Sequence, residues 1–154
     1  MKNLKLINFN NKTENNKKLI LQGFLNKKQK YILPKFFYDE KGSKLFNKIT
    51  NLREYYPTKK ELEILENLKK KLKKNLPSNS TIVEFGSGSN KKINKFIKSL
   101  DRPKEYIPID ISKEYLFKNA SSIAKKFTNL KVTAICADFN HAQKLNKILK
   151  DKKK

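Results

Sequence analysis

The sequence predicts an α/β fold built on a parallel sheet, with a small helical region in front of it. Three observations carry that expectation. Thr81-Ile-Val-Glu-Phe85 is an apolar run that contains an acid and leads into the turn Gly86-Ser87-Gly88, with a basic helical segment behind it. Tyr106-Ile-Pro-Ile-Asp110 is a second apolar run, ending in a carboxylate 22 residues beyond Gly88. A third run covers 131–137. Strands separated by helices of this length need right-handed crossovers, which makes the sheet parallel.

Taken from the start, residues 1–12 are polar and asparagine-rich and are expected to be loosely ordered. Residues 13–80 read as a helical region. A helical pattern opens near Thr13 with Leu19, Ile20, Phe24 and Leu25 on one side, and Pro34 breaks it. Asp39-Glu-Lys-Gly42 reads as a turn, after which Ser43 is expected to cap a short helix with Leu45, Phe46 and Ile49 inward. Thr58-Lys-Lys-Glu61, preceded by Pro57, has the form of a capping box. Leu62, Leu65, Leu68 and Leu72 continue as the apolar stripe of that helix. Lysines 69, 70, 71, 73 and 74 crowd its C-terminal half, where the helix dipole favours cations.

Pro77-Ser-Asn-Ser80 ends the helical part. Residues 81–149 then read as strand 81–85, turn 86–90, helix 91–100, strand 105–110, helix 112–127 and strand 131–137. Ser112 is the expected N-cap of the second helix, with Glu114 in its first turn. Residues 150–154 form a lysine-rich tail.

This strand–turn–helix order is Rossmann-like, and its chemistry points to an adenosine-containing cofactor. Glycine at 86 and 88 lets the backbone approach a ligand where a Cβ would intrude. Asp110 stands at the spacing from which a strand-end acid accepts both ribose hydroxyls. Position 91, where a dinucleotide fingerprint has its third glycine, is a lysine, so S-adenosylmethionine is favoured over NAD. Glu84, near the strand's carboxyl end, suits the ammonium of the methionyl portion. Asp138 is placed to accept the adenine amino group, with the Phe139 edge closing the base pocket. Each signal has a plainer reading as well. The Gly-Ser-Gly segment is also an ordinary turn, Asp110 a helix-capping acid, and Asp138 and Phe139 a turn acid and a core aromatic. His141 reads as a solvent-exposed loop residue and Cys136 as a small buried hydrophobe. Tyr55-Tyr56 is hard to bury as a pair, so one phenol is expected in the core and the other at a ligand pocket.

The composition narrows the function class. The net charge of +23 ordinarily suggests a polyanion partner. Arg53 and Arg102 are the only arginines, however, and bidentate phosphate and base contacts want arginine. Abundant lysine, asparagine and isoleucine together fit an AT-rich coding bias, so a solvated lysine surface is expected. A small nucleic-acid-binding protein and a non-catalytic remnant that keeps the cofactor pocket are the competing readings. With one cysteine there is no internal disulfide, and a zinc site built from one cysteine and one histidine is not expected. No apolar stretch approaches the roughly 20 residues of a membrane span. A cytoplasmic protein without a membrane partner is the expectation.

These segments together resemble the histidine-specific, S-adenosylmethionine-dependent methyltransferases of the ergothioneine pathway. The likeness lies in Pro34-Lys-Phe-Phe-Tyr-Asp-Glu-Lys-Gly-Ser-Lys-Leu-Phe46, Ile49-Thr50 and Glu54-Tyr-Tyr-Pro-Thr58. It continues through Val83-Glu-Phe-Gly-Ser-Gly-Ser89 with Lys92, Tyr106-Ile-Pro-Ile-Asp-Ile-Ser112 and Ala137-Asp-Phe139. It implies that Gly86, Lys92, Asp110, Asp138 and Phe139 line the cofactor site. It also implies that the tyrosine pair, chiefly Tyr55, touches a histidine-like amino-acid substrate whose neutral α-amine accepts the methyl group. Members of that family are about twice this length. The resemblance therefore implies a truncated or split enzyme: the first half of a Rossmann-like methyltransferase domain, preceded by a helical region on the substrate side. Its first strand would keep an unpaired apolar edge, and a second polypeptide would supply the remaining strands.

Overall fold

A computed structural model describes residues 2–9, 16–37, 39–138, 146, 149 and 150. Among the described residues the sheet has four parallel strands: β1 (Leu4–Asn8), β2 (Thr81–Phe85), β3 (Glu105–Asp110) and β4 (Lys131–Cys136). Their spatial order is β1-β4-β3-β2. The register pairs Leu4 with Val132, Tyr106 with Val132 on the other side of β4, and Ile82 with Tyr106. The three strands expected from the sequence are present, two of them with the expected bounds.

The fourth strand overturns the expectation of a loose N-terminus. Leu4 and Leu6 pack against one core cluster, while Ile7 and Phe9 pack against the other. The short alternation Leu-Lys-Leu-Ile-Asn is enough to form an edge strand once β4 offers a ladder. Asn3 fixes its entry: its side-chain amide donates to the carbonyls of Ala124, Phe127 and Leu130 at 3.0, 3.3 and 3.1 Å. These groups lie at the end of α5 and in the turn before β4, so Asn3 acts as a C-terminal cap supplied from a distant part of the chain.

The helices are α1 (Asn16–Phe24), α2 (Glu40–Ile49), α3 (Pro57–Asn75), α4 (Asn90–Lys98) and α5 (Lys113–Lys126), with a 3-10 turn over Pro34–Phe37. One face of the sheet packs on α4 and α5 through Ile82, Ile93, Ile97, Tyr106, Leu116, Ile123, Val132 and Ala134. Burying each of the isoleucine, leucine and valine side chains among them contributes about 1.5–3 kcal/mol. The other face buries Ile107, Ile109, Ile135 and Ala137. There the buried carboxylate of Glu105 accepts from Thr133 Oγ1 at 2.6 Å and lies 3.4 Å from the Lys131 ammonium, so its charge is not left alone. β2 is an edge strand, and its Val83 is 38% exposed.

Three local expectations change. Asp39, not Ser43, caps α2: its carboxylate accepts from the Gly42 amide at 2.6 Å, and Ser43 lies within the helix. An acid there answers both the orphan amides and the dipole, so it displaces the later hydroxyl. The capping box at Thr58 does not form, because α3 already starts at Pro57 and has no side-chain cap. Proline suits a first helical position, where its missing N–H costs nothing. Ser112 is the N-cap residue of α5, but its side chain makes no capping bond. Thr13, Phe139, His141 and the tail residues 151–154 lie outside the described residues.

Candidate functional site

A cavity of about 540 Å³ opens at the carboxyl ends of β2, β3 and β4. Parallel α/β sheets place ligands at this end, where the strands give way to loops and helix N-termini. From the sheet side it is lined by Glu84, Gly86, Gly88, Lys92, Asp110 and Asp138; Tyr55 reaches it from the helical region. Tyr55 and Asp138, 83 positions apart in sequence, and Gly88 and Asp110, 22 apart, thus meet because three strand ends and two helices converge there. Ser87 and Tyr56 are not among the lining residues. Ser87 is buried with its hydroxyl lacking a partner among the described residues, and Tyr56 is 66% exposed. Phe139 lies outside the described residues.

The glycine turn has a specific geometry. Gly86 adopts φ +69°, in the left-handed region where a side chain is strained. The amides of Gly86 and Ser87 both donate to the Ile109 carbonyl, at 2.9 and 3.3 Å, and the Gly88 amide donates to the Gly86 carbonyl at 2.8 Å. The turn therefore spends its amides on the fold. A dinucleotide pyrophosphate would want such groups free. A Cβ added at Gly86 would meet no protein atom within 4 Å, so the space beside this backbone is open.

The acids are held in different ways. Glu84 accepts from the Tyr106 hydroxyl at 2.5 Å. Burial raises its pKa, and the Tyr106 donor and the Lys92 charge oppose that rise. Burial likewise raises Asp110, against hydrogen bonds from the Ser112 and Ile111 amides. The Ser112 amide reaches Asp110 Oδ1 at 2.9 Å, so this acid serves the start of α5 through one oxygen while also facing the cavity. The Asp138 carboxylate lies 3.7 Å from the Lys35 ammonium of the 3-10 turn, and both side chains are mostly buried. Lys92 is 2.9 Å from Glu61 of α3. Tyr55 sets its ring edge against Phe46 at 5.9 Å between centroids.

Several lining residues carried no individual assignment from the sequence. Lys35 and Thr50 lie inside the quoted motif blocks, where nothing separated lining from packing positions, and Phe46 was expected only as an inward residue of its helix. Asn47 donates to the Tyr115 hydroxyl at 2.6 Å and ties α2 to α5 beside Asp110. Glu61 was visible only as the acid of a capping box, and the cavity claims it instead. No group of three or more metal-ligating side chains occurs among the described residues, and no described helix is long and apolar enough to cross a membrane.

A family model described as "Histidine-specific methyltransferase, SAM-dependent" matches residues 16–154. The histidine N-alpha-methyltransferase of Mycobacterium tuberculosis is 35% identical over 118 residues, which is 75% of this chain and 36% of that protein. The histidine N-alpha-methyltransferase of Mycolicibacterium smegmatis is 33% identical over 113 residues, 71% of this chain and 35% of that protein. Ergothioneine biosynthesis protein 1 of Neurospora crassa is 35% identical over 89 residues, 56% of this chain and 10% of that protein. The matched stretch thus spans about a third of either bacterial relative.

Proposed function

This chain belongs to the histidine-specific, S-adenosylmethionine-dependent methyltransferase family, and from that premise we propose that its cavity binds S-adenosylmethionine for methyl transfer to the α-amine of a histidine-like amino acid. The observation that carries the reading is the convergence of Glu84, Gly86, Lys92, Asp110 and Asp138 on one cavity that Tyr55 also lines. The cofactor, when bound, supplies an electrophilic methyl group on a sulfonium. In this reading Asp110 accepts the ribose hydroxyls and Asp138 accepts the adenine amino group. Glu84 and Lys92 take the ammonium and carboxylate of the methionyl portion. The open space beside Gly86 and the internally bonded amides of its turn fit a nucleoside without pyrophosphate. Tyr55 orients the amino-acid substrate. Alignment of amine and methyl accounts for most of the catalytic work, because the transfer needs only a neutral amine and a group or solvent to take its proton.

The reading includes a further polypeptide. β2 sits at the sheet edge with no proline, lysine or bulge to blunt it, and Val83 stays exposed. The matched stretch covers only 36% of the Mycobacterium tuberculosis relative. The polypeptide carrying the rest of that length is proposed to add a strand parallel to β2 and to complete the substrate pocket. The cofactor half is tested by calorimetry: Asp110→Ala should weaken S-adenosylmethionine binding by about 1–3 kcal/mol. An unchanged affinity removes the ribose assignment. The substrate half is tested by histidine methylation assays with and without that polypeptide.

A further inference from the structure

We infer that Tyr106, a core residue of β3, is the positioning residue that holds Glu84 for a ligand ammonium. The register places Ile82 opposite Tyr106 and Glu84 opposite Pro108, so Tyr106 and Glu84 are diagonal neighbours on one sheet face. Tyr106 is 2% exposed, with its ring packed in the α4–α5 core and its hydroxyl donating to Glu84 Oε2 at 2.5 Å. The described residues give Oε1 no hydrogen-bond partner, and Glu84 lines the cavity. One oxygen is thus fixed from the core side, and the other is left for whatever the cavity takes.

A phenylalanine would fill the same core space, so packing alone does not call for the hydroxyl. A buried phenol needs an acceptor, and here the acceptor is an acid of the cavity. The charged and titratable groups facing Glu84 are few: Tyr106 and Asp110 from β3, and Lys92 from α4, itself paired with Glu61 of α3. Burial raises Tyr106 far above the ordinary phenol range, so it stays protonated and can only donate to an ionised Glu84. Burial works to neutralise Glu84, while the Tyr106 donor and the Lys92 charge work to keep it ionised. An ionised Glu84 is what an ammonium ligand requires.

The assignment rests on the proposed cofactor reading, in which Glu84 meets the methionyl ammonium. Tyr106→Phe removes one oxygen and keeps the core filled. Two measurements on that variant separate the possibilities. In the first, the Glu84 carboxyl carbon is titrated by NMR. The midpoint should move upward relative to wild type, and an unmoved midpoint overturns the inference without reference to any ligand. In the second, calorimetry compares S-adenosylmethionine with 5′-methylthioadenosine, which has no amino-acid portion. S-adenosylmethionine binding should weaken roughly tenfold or more, the usual scale for a lost hydrogen bond to a charged group. Methylthioadenosine binding should not change. The loss of S-adenosylmethionine affinity on acidification should also begin at a higher pH in the variant. Equal losses for both nucleosides reduce Tyr106 to a packing residue and overturn the inference. Wild-type protein that binds neither nucleoside overturns the cofactor reading itself and the ligand role of Glu84 with it.

Discussion

The Glu61 carboxylate of α3 lies 2.9 Å from the Lys92 ammonium of α4, and both residues line the cavity. The pair links the helical region to the sheet domain at the site. Both side chains are about half exposed, so solvent and salt screen the attraction. Glu61→Gln should therefore cost no more than about 1 kcal/mol of stability. The difference from wild type should shrink as salt rises in urea unfolding experiments. A larger, salt-independent loss would mean that Glu61 has a packing role that the geometry does not suggest.

The two helix starts give a paired prediction. Asp39 accepts from the Gly42 amide, whereas Thr58 makes no capping bond. Asp39→Ala should destabilise by about 1 kcal/mol, the usual loss for a capping acid. Thr58→Ala should stay within about 0.5 kcal/mol, because Thr58 is only partly buried and has no capping bond to lose. Thermal unfolding of both variants decides it, and a reversal of the two would restore the capping box at Thr58.

These helix starts also show where the sequence speaks and where it does not. The strands 81–85 and 105–110 were legible to the residue because unbroken apolar runs between turn residues leave a buried parallel strand little freedom in its bounds. The glycine turn and the strand-end acids were legible for the same reason, since the topology fixes which end of the sheet they occupy. The capping boundary was not. Asp39 and Ser43 are both good capping residues for α2, and Thr58 is one for α3; where each helix starts depends on where the preceding turn delivers the chain and, for α3, on Pro57. β1 was hidden because five residues with a lysine and an asparagine carry little periodicity, and the decisive contacts come from β4, more than a hundred residues away. Glu61 and Tyr115 reach the cavity through helix packing, and local pattern does not encode that.

Asn3 bears on the N-terminal strand. Its amide donates to three carbonyls around the end of α5. Asn3→Ala should cost about 1–3 kcal/mol, the scale for leaving partly buried polar groups unsatisfied. Hydrogen exchange should quicken at Leu4–Asn8 before it does in β3, because the edge strand loses its anchor first. Uniform quickening across the sheet would argue that β1 and the central strands open as one unit.

Glu84 and Asp110 have pKa values raised chiefly by burial, and the consequence for stability has a definite sign. A raised acid pKa means that the folded state binds more protons than the unfolded chain, so this contribution favours the fold at low pH. It is lost as pH rises from the ordinary carboxylate value through the folded one. Glu84→Gln removes the ionisation and can still accept from Tyr106. Its stability relative to wild type should improve from pH 4 to pH 7, while S-adenosylmethionine affinity falls. A constant difference between variant and wild type across that range would show that Glu84 ionises in the fold as easily as in the unfolded chain.

Gly86 and Gly88 both line the cavity, yet they differ in what the fold asks of them. Gly86 holds φ +69°, so Gly86→Ala should cost about 1–2 kcal/mol through backbone strain alone. Gly88 has no positive φ, and a Cβ there would come no nearer than 4.0 Å to another atom, the Gly86 carbonyl oxygen. Gly88→Ala should therefore unfold within about 0.5 kcal/mol of wild type. If the turn approaches the cofactor closely, that same harmless methyl should occupy ligand space and weaken S-adenosylmethionine binding. Calorimetry on Gly88→Ala isolates the ligand argument from the conformational one. Wild-type affinity in this variant would leave Gly88 as an ordinary turn residue and confine the close approach to Gly86.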